Sequence, residues 1–191
     1  MLTAVPSPAS VEDTPPRALV IFDVLGFQAI WLAWAWAAPT HQVFGPALGS
    51  LLFFALHFRF STHRRRDGAA ALLCVGVGFV FDTSMMQAGM LQFALPNPAP
   101  LDGMAPLWMM GLWACLACTL HTGLAWLKRW RAPAHLLSAA AGFLSYAAAD
   151  RLGALSLEDS LLCTGTLLLF WGVFVPWAQS CSEWLSHTRR L

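Results

Sequence analysis

Asp23, His57, Asp82, His121, Tyr146, Asp150 and Arg151 are spread through stretches of sequence that are otherwise apolar. Each could carry a proton or hydrogen-bond a polar ligand, and each is costly if those stretches lie in lipid. An Asp in the middle of a membrane span costs about 2.5–3.5 kcal/mol on insertion scales, so it needs a partner, water or a proton. Depth along the predicted helices sorts these residues into two groups. Asp82, Gln87, Tyr146, Asp150 and Arg151 fall toward the outer face. Arg151 is the basic residue on that side, and a pair with Asp82 or Asp150 would offset the desolvation of both partners. This group would line a polar pocket; the plainer readings are a clamp between helices and, for Arg151, a side chain snorkelling at a helix end. Asp23, His57 and His121 fall nearer the inner face. Together they could relay a proton. As separate residues they would bond interfacial water or a free carbonyl, which their shallow depth favours.

Cys115, Cys118 and His121 recur at steps of three and share one helix face, a spacing that a soft metal could use. Three ligands on one straight helix do not close a tetrahedral site, and a c-type haem motif needs the His directly after the second Cys. Helix packing is therefore their expected role, and neither a metal nor another cofactor is predicted. The five Cys lie in or beside apolar stretches, as small hydrophobes do, with no disulfide pattern. Gly76-x-Gly78 has no strand before it and is no nucleotide loop. Gly45-x-x-x-Gly49 suits a close helix approach. No Ser-His-Asp set, zinc motif or phosphate loop is present in the sequence.

The elements that must position these residues follow from composition. Hydrophobic residues make up 58% of the chain and charged residues 11%, against a soluble norm of about 45–50% and 25%. Ten Trp stand beside one Tyr, and a net charge of +1 leaves no basic excess for nucleic acid. A helix rises about 1.5 Å per residue, so the ~30 Å hydrocarbon core takes about 20 residues. Six stretches match that ruler, at 18–37, 42–58, 69–90, 106–127, 134–152 and 159–179. Residues 161–178 carry no charge on any face, which excludes the charged outer stripe of a soluble helix.

With six crossings, Arg17, Arg59, Arg64, Arg65, Arg66, Lys128, Arg129, Arg131, Arg189 and Arg190 all fall on one side, and Arg151 alone on the other. Translocated loops avoid Lys and Arg, so both termini are expected in the cytoplasm. Trp31, Trp34, Trp36 and Trp108 then mark the outer interface, and Trp126, Trp130, Trp177 and Trp184 the inner one. The expected fold class is all-α, a polytopic integral membrane protein with six transmembrane helices. A disordered cytoplasmic tail is expected at 1–17, the helical domain at 18–179 and a cytoplasmic C-terminal tail at 180–191. Ala35-Trp36-Ala37 looks like a signal-peptidase site, but the apolar stretch before it is too long for a signal peptide, and an uncleaved first span is expected. Pro96, Pro98 and Pro100 make 95–101 extended or turned. No internal repeat relates the first three spans to the last three.

Pro106-Leu107-Trp108 runs into Leu112-Trp113 and Thr119-Leu120. Gln28-x-x-Trp31 and Asp82 stand upstream, and Leu144-Ser145-Tyr146 and Leu152-Gly153-Ala154 downstream. In these elements, over roughly 20–176, the chain resembles a family of small bacterial inner-membrane proteins known as a domain of unknown function. The resemblance implies a multi-pass inner-membrane protein in a setting of fatty-acyl chain modification, and it hands over no reaction. It matches Asp82, Trp108, Trp113 and Tyr146 to the family pattern, so Trp108 and Trp113 join Asp82, Tyr146, Asp150 and Arg151 as the candidate pocket. The chain departs from the pattern at Asp23, where an uncharged polar residue is expected, and at Phe143, in a Gly-Pro-Leu-Ser-Tyr-like stretch. The expected function is a non-catalytic membrane component associated with a lipid or small apolar ligand. Membrane lipids are its expected partners, with membrane-protein partners or self-association open. The alternatives are a small proton-coupled transporter using Asp82 and an intramembrane lipid-modifying enzyme using Asp82, His121 or Tyr146.

Overall fold

The computed structural model describes residues 15–188. Six helices and one short ribbon follow in the order α1 (Arg17–Thr40), α2 (Phe44–Phe60), α3 (Arg64–Gln87), β1 (Leu91–Phe93), α4 (Leu107–Thr119), α5 (Arg131–Arg151), β2 (Leu155–Leu157) and α6 (Leu161–Thr188). Most of the tail expected at 1–17 lies outside the described residues, as do Arg189 and Arg190. At the other end α6 continues through the expected tail to Thr188. Three helices, α1, α3 and α6, are long and apolar enough to cross a membrane, and α2 and α4 are shorter apolar helices. Large apolar side chains such as Leu72, Leu136 and Leu161 stand exposed on the outside of the bundle. Such a surface suits lipid, as do the three long apolar helices.

The chain folds as three helical hairpins, α1–α2, α3–α4 and α5–α6, each packed within itself. The first helix of every hairpin ends in the same turn. His41, Gly89 and Gly153 take left-handed backbone conformations, with φ of 57°, 74° and 76°. At each, two backbone N–H groups fold back onto the last carbonyls of the helix: His41 to Ala38 and Gln42 to Ala37, Gly89 to Met86 and Met90 to Met85, Gly153 to Asp150 and Ala154 to Ala149. This double closure satisfies orphan carbonyls that lipid could not. In each hairpin a glycine of the first helix also meets an aromatic ring of the second: Gly26 with Phe53, Gly78 with Trp113, and Gly142 with Trp171. The structural recurrence thus relates hairpin to hairpin rather than half to half, and it resides in turns and close approaches that leave little mark on the sequence.

The hairpins stack in order. Helix α4 packs on α1 and α2, and α6 packs on α3. After α3 and α5 the chain forms a two-stranded antiparallel ribbon, with Leu91 opposite Leu157, Gln92 opposite Ser156 and Phe93 opposite Leu155. The ribbon fastens the second hairpin to the third at the end of the bundle away from Arg17 and Arg64. The proline-rich segment that follows β1 is pinned by Trp108 Nε1 donating to Leu95 O at 2.8 Å and by Ala105 N donating to Thr83 Oγ1 at 3.1 Å.

Two helix irregularities have side-chain remedies. The fourth apolar stretch, expected to run as one helix over 106–127, breaks after Thr119 and continues through turns into a 3-10 helix at Ala125–Arg129. The carbonyls of Leu120 and Leu124 accept from the Gln179 amide of α6, at 2.6 and 3.0 Å, the second also accepting from Leu127 N. In α6, Pro176 has no N–H to give to the carbonyl of Gly172, one turn earlier. His135 of α5 supplies the missing donor, Nδ1 to Gly172 O at 2.7 Å. Irregular backbone persists in a membrane only where such partners exist.

Candidate functional site

Asp82 is fully buried near the ribbon end of α3. Trp113 Nε1 of α4 donates to its Oδ2 at 2.7 Å, and Tyr146 OH of α5 donates to its Oδ1 at 2.5 Å. Three hairpin helices therefore converge on one carboxylate. Its equivalents relative to the recurrent turn are telling: Trp34, Asp82 and Tyr146 each stand seven residues before the left-handed residue. Equal height is what lets Asp82 and Tyr146 meet across the bundle. No cation shares this carboxylate among the described residues; two neutral donors replace the hydration it has lost.

Trp113 stacks on Trp171 of α6 at 5.1 Å between ring centroids, 10° from parallel. Phe174 and Phe170 extend the aromatic cluster, and Phe170 stacks on Phe81 of α3 at 3.6 Å. The space these rings need comes from the glycines opposite: a Cβ on Gly78 would lie 2.2 Å from Trp113, and one on Gly142 2.0 Å from Trp171.

In front of this aromatic wall lies a cavity of about 440 Å³. Met109, Leu112, Trp113 and Leu116 of α4 form its back, with Trp171 and Val175 of α6 below them. Val24, Gln28 and Trp31 of α1 form one flank, and Ser138, Ala141, Ser145 and Tyr146 of α5 the other. Small residues on the α5 flank leave the volume open. Helices α1 and α5 border the cavity without close packing on each other. Val24, Gln28, Leu137 and Ala141 are exposed along that gap, so the cavity opens sideways, through the outer surface of the bundle.

The remaining candidates are placed as follows. Trp108 lies outside the cavity, stacked on Trp34 at 5.2 Å, while Trp34 Nε1 donates to Ser50 Oγ at 2.9 Å. Asp150 accepts from Leu157 N at 3.1 Å and so secures the ribbon. Arg151 is exposed and pairs with neither Asp82 nor Asp150. The ion pair expected of it is replaced by the Trp113 and Tyr146 hydrogen bonds, because a tryptophan N–H and a phenol reach Asp82 where the guanidinium lies at the helix end.

At the opposite end Asp23 and His57 meet, with His57 Nδ1 donating to Asp23 Oδ1 at 2.9 Å, both fully buried. His57 Nε2 faces Asp67 Oδ2 at 3.4 Å without a hydrogen bond. Ser61 donates to that same Asp67 oxygen, and Arg66 Nε lies 3.4 Å from the other. This cluster joins α1, α2 and α3. His121 is not part of it: Nε2 donates to Ser182 Oγ at 2.7 Å, Nδ1 accepts from Lys128 at 3.1 Å, and Lys128 in turn pairs with Glu183. Cys115 and Cys118 donate to backbone carbonyls, and no metal-holding group occurs among the described residues.

Asp67, His135, Trp171 and Gln179 were not singled out by the sequence. Pro176 and the charge beside Arg66 were signals for His135 and Asp67, since a helix proline leaves a carbonyl needing a donor; nothing comparable marked Trp171. No curated protein and no solved structure matches the chain. A family model described as a protein of unknown function, DUF2878, matches residues 20–177, and the chain belongs to that family.

Proposed function

We propose that the protein holds a lipid or another small apolar molecule in the cavity between α1, α4 and α5, as a non-catalytic component of the bacterial inner membrane. The observation that carries this reading is the cavity itself: about 440 Å³, walled by aromatic and small side chains and open between two helices on the lipid-facing side. Small-molecule sites span about 300–1,000 Å³ and are mostly apolar with few polar groups. The position of Asp82 supports holding over carriage or catalysis. Its carboxylate is sealed behind Trp113 and Tyr146, so a molecule in the cavity meets the two rings and not the acid.

In this reading the bundle crosses the membrane six times with both termini in the cytoplasm. Support comes from the charge distribution: Arg59, Arg64 and Lys128 lie at the end opposite the ribbon, and among the described residues Arg151 is the one Lys or Arg at the ribbon end. Reporter fusions after Pro39, Pro98 and Ser156 are expected to be exported, and an internal reading at any of them overturns the layout. The ligand reading is tested by purifying the full chain in mild detergent and analysing bound lipid. A selective, stoichiometric lipid is expected, lost in the cavity-filling variants Ala141→Trp and Ser145→Phe with the fold intact. Lipid-free protein after detergent exchange ends the reading.

A further inference from the structure

One carboxamide on the cavity wall, that of Gln28, is left open and unpaired. Gln28 is exposed, lines the cavity, and its carboxamide makes no hydrogen bond among the described residues. The indole N–H groups of Trp31 and Trp126 also make no hydrogen bond among the described residues, but they can only donate. The remaining polar side chains of the lining are spent or closed off. Trp113 and Tyr146 donate to Asp82, Thr119 donates to Leu116 O at 2.7 Å, and Ser145 donates to Ala141 O at 2.9 Å. Ser138 Oγ and Trp171 Nε1 lack partners but are fully enclosed by packing. Gln28 stands eleven residues into α1 after Arg17, about 16 Å along the axis and so near the middle of a ~30 Å core. A glutamine amide at that depth ordinarily bonds a neighbouring helix, because hydrocarbon offers it nothing. Here the facing helix is α5, held off by the cavity and lined with Ser138, Ala141 and Ser145, which are too short to reach.

We propose that the ligand is an amphiphile rather than a plain hydrocarbon, entering between α1 and α5 and presenting a carbonyl or hydroxyl oxygen to the Gln28 carboxamide. Its apolar body lies against Trp113 and Trp171. This rests on the reading of the cavity as an apolar-ligand site and adds a polar requirement at a defined depth. A second copy of the chain pairing through Gln28 is disfavoured by geometry: Val24 and Trp31, one turn to either side on the same helix face, also line the cavity.

The test uses two probes on the full chain in detergent: a terminally brominated long-chain alkane and the terminally brominated methyl ester of equal chain length. Both quench tryptophan fluorescence, and Trp31, Trp113 and Trp171 line the cavity. The ester is expected to bind about tenfold more tightly than the alkane, the equivalent of one net hydrogen bond. In Gln28→Leu the ester should fall to the alkane's affinity while the alkane is unchanged. The near-ultraviolet dichroism of the stacked indoles checks the variant's fold, and Gln28→Met, closer in length and shape and equally unable to donate, serves in its place if the leucine variant does not fold. Equal binding of both probes to the wild type overturns the polar requirement and leaves the apolar cavity standing. A ratio that survives Gln28→Leu, or a Gln28-dependent change in oligomer mass by sedimentation, also overturns it. Binding of neither probe removes the cavity reading, and this inference with it.

Discussion

The indoles of Trp113 and Trp171 lie face to face, with Gly78 against the first and Gly142 against the second. Four helices are thereby brought into register by two flat side chains and two residues without a Cβ. An alanine at Gly142 or Gly78 would place a methyl 2.0 or 2.2 Å from the ring it faces. Each change is expected to destabilise by about 1–3 kcal/mol, the cost of overpacking, and to disturb the near-ultraviolet dichroism. Gly76→Ala meets nothing within 4 Å and should be neutral or slightly stabilising, since alanine favours helix by up to about 1 kcal/mol. Thermal unfolding of the three variants in one detergent makes the comparison.

Asp82 holds the cavity wall through both of its oxygens. Asp82→Ala leaves the Trp113 N–H and the Tyr146 hydroxyl bare, at about 1–3 kcal/mol for each buried donor. Asp82→Asn keeps one acceptor and should lose roughly half as much. If both variants unfold like the wild type, the wall is not held by this residue. A double-mutant cycle with Tyr146→Phe should show coupling, because Asp82→Ala removes the partner that Tyr146→Phe also abandons.

His135 matters because of Pro176. Alone, His135→Phe strips the Gly172 carbonyl of its donor and should cost about 1–3 kcal/mol. Pro176→Ala restores a backbone N–H for the same carbonyl, so the double variant should recover most of that loss. Additive effects of the two changes would show that the histidine and the proline act independently.

The buried Asp23–His57 contact fastens α1 to α2. Removing one partner of such a pair typically costs about 3–5 kcal/mol, so Asp23→Ala should lower the unfolding midpoint sharply, and Asp23→Asn, which retains an acceptor for His57 Nδ1, less so. Indifference to both would assign the pair no structural role.

Apolar runs announce helices without reference to their neighbours, so six helical segments could be read from the chain. Three lie within a few residues of their bounds, while the third begins five residues earlier at Arg64, the sixth runs on past its apolar stretch to Thr188, and the fourth breaks after Thr119. That break is recorded in α6, in Gln179, and not in the broken segment itself. Partners were harder to read for a similar reason. Counting residues from a helix end gives depth, and depth put Asp82 beside Tyr146 and Arg151 alike; rotation about the helix axis then decided for Tyr146. Trp113 was named only through a family pattern, and Trp171 was not named, because a tryptophan in an apolar run reads equally as core, wall or interface. The turn that recurs after α1, α3 and α5 left a glycine in two cases and a histidine in the third, too thin a trace to reveal three equivalent hairpins.

The ribbon divides the bundle mechanically. Backbone hydrogen bonds between β1 and β2 weld α3, α4, α5 and α6 into one frame at that end. Among the described residues no backbone hydrogen bond reaches from α1 or α2 to this frame. The first hairpin is seated on it by side chains such as Trp34 against Trp108. Sliding one ring over another is far cheaper than unzipping a ladder, so the width of the doorway beside Gln28 is governed by how α1 leans, while the opposite jamb stays fixed.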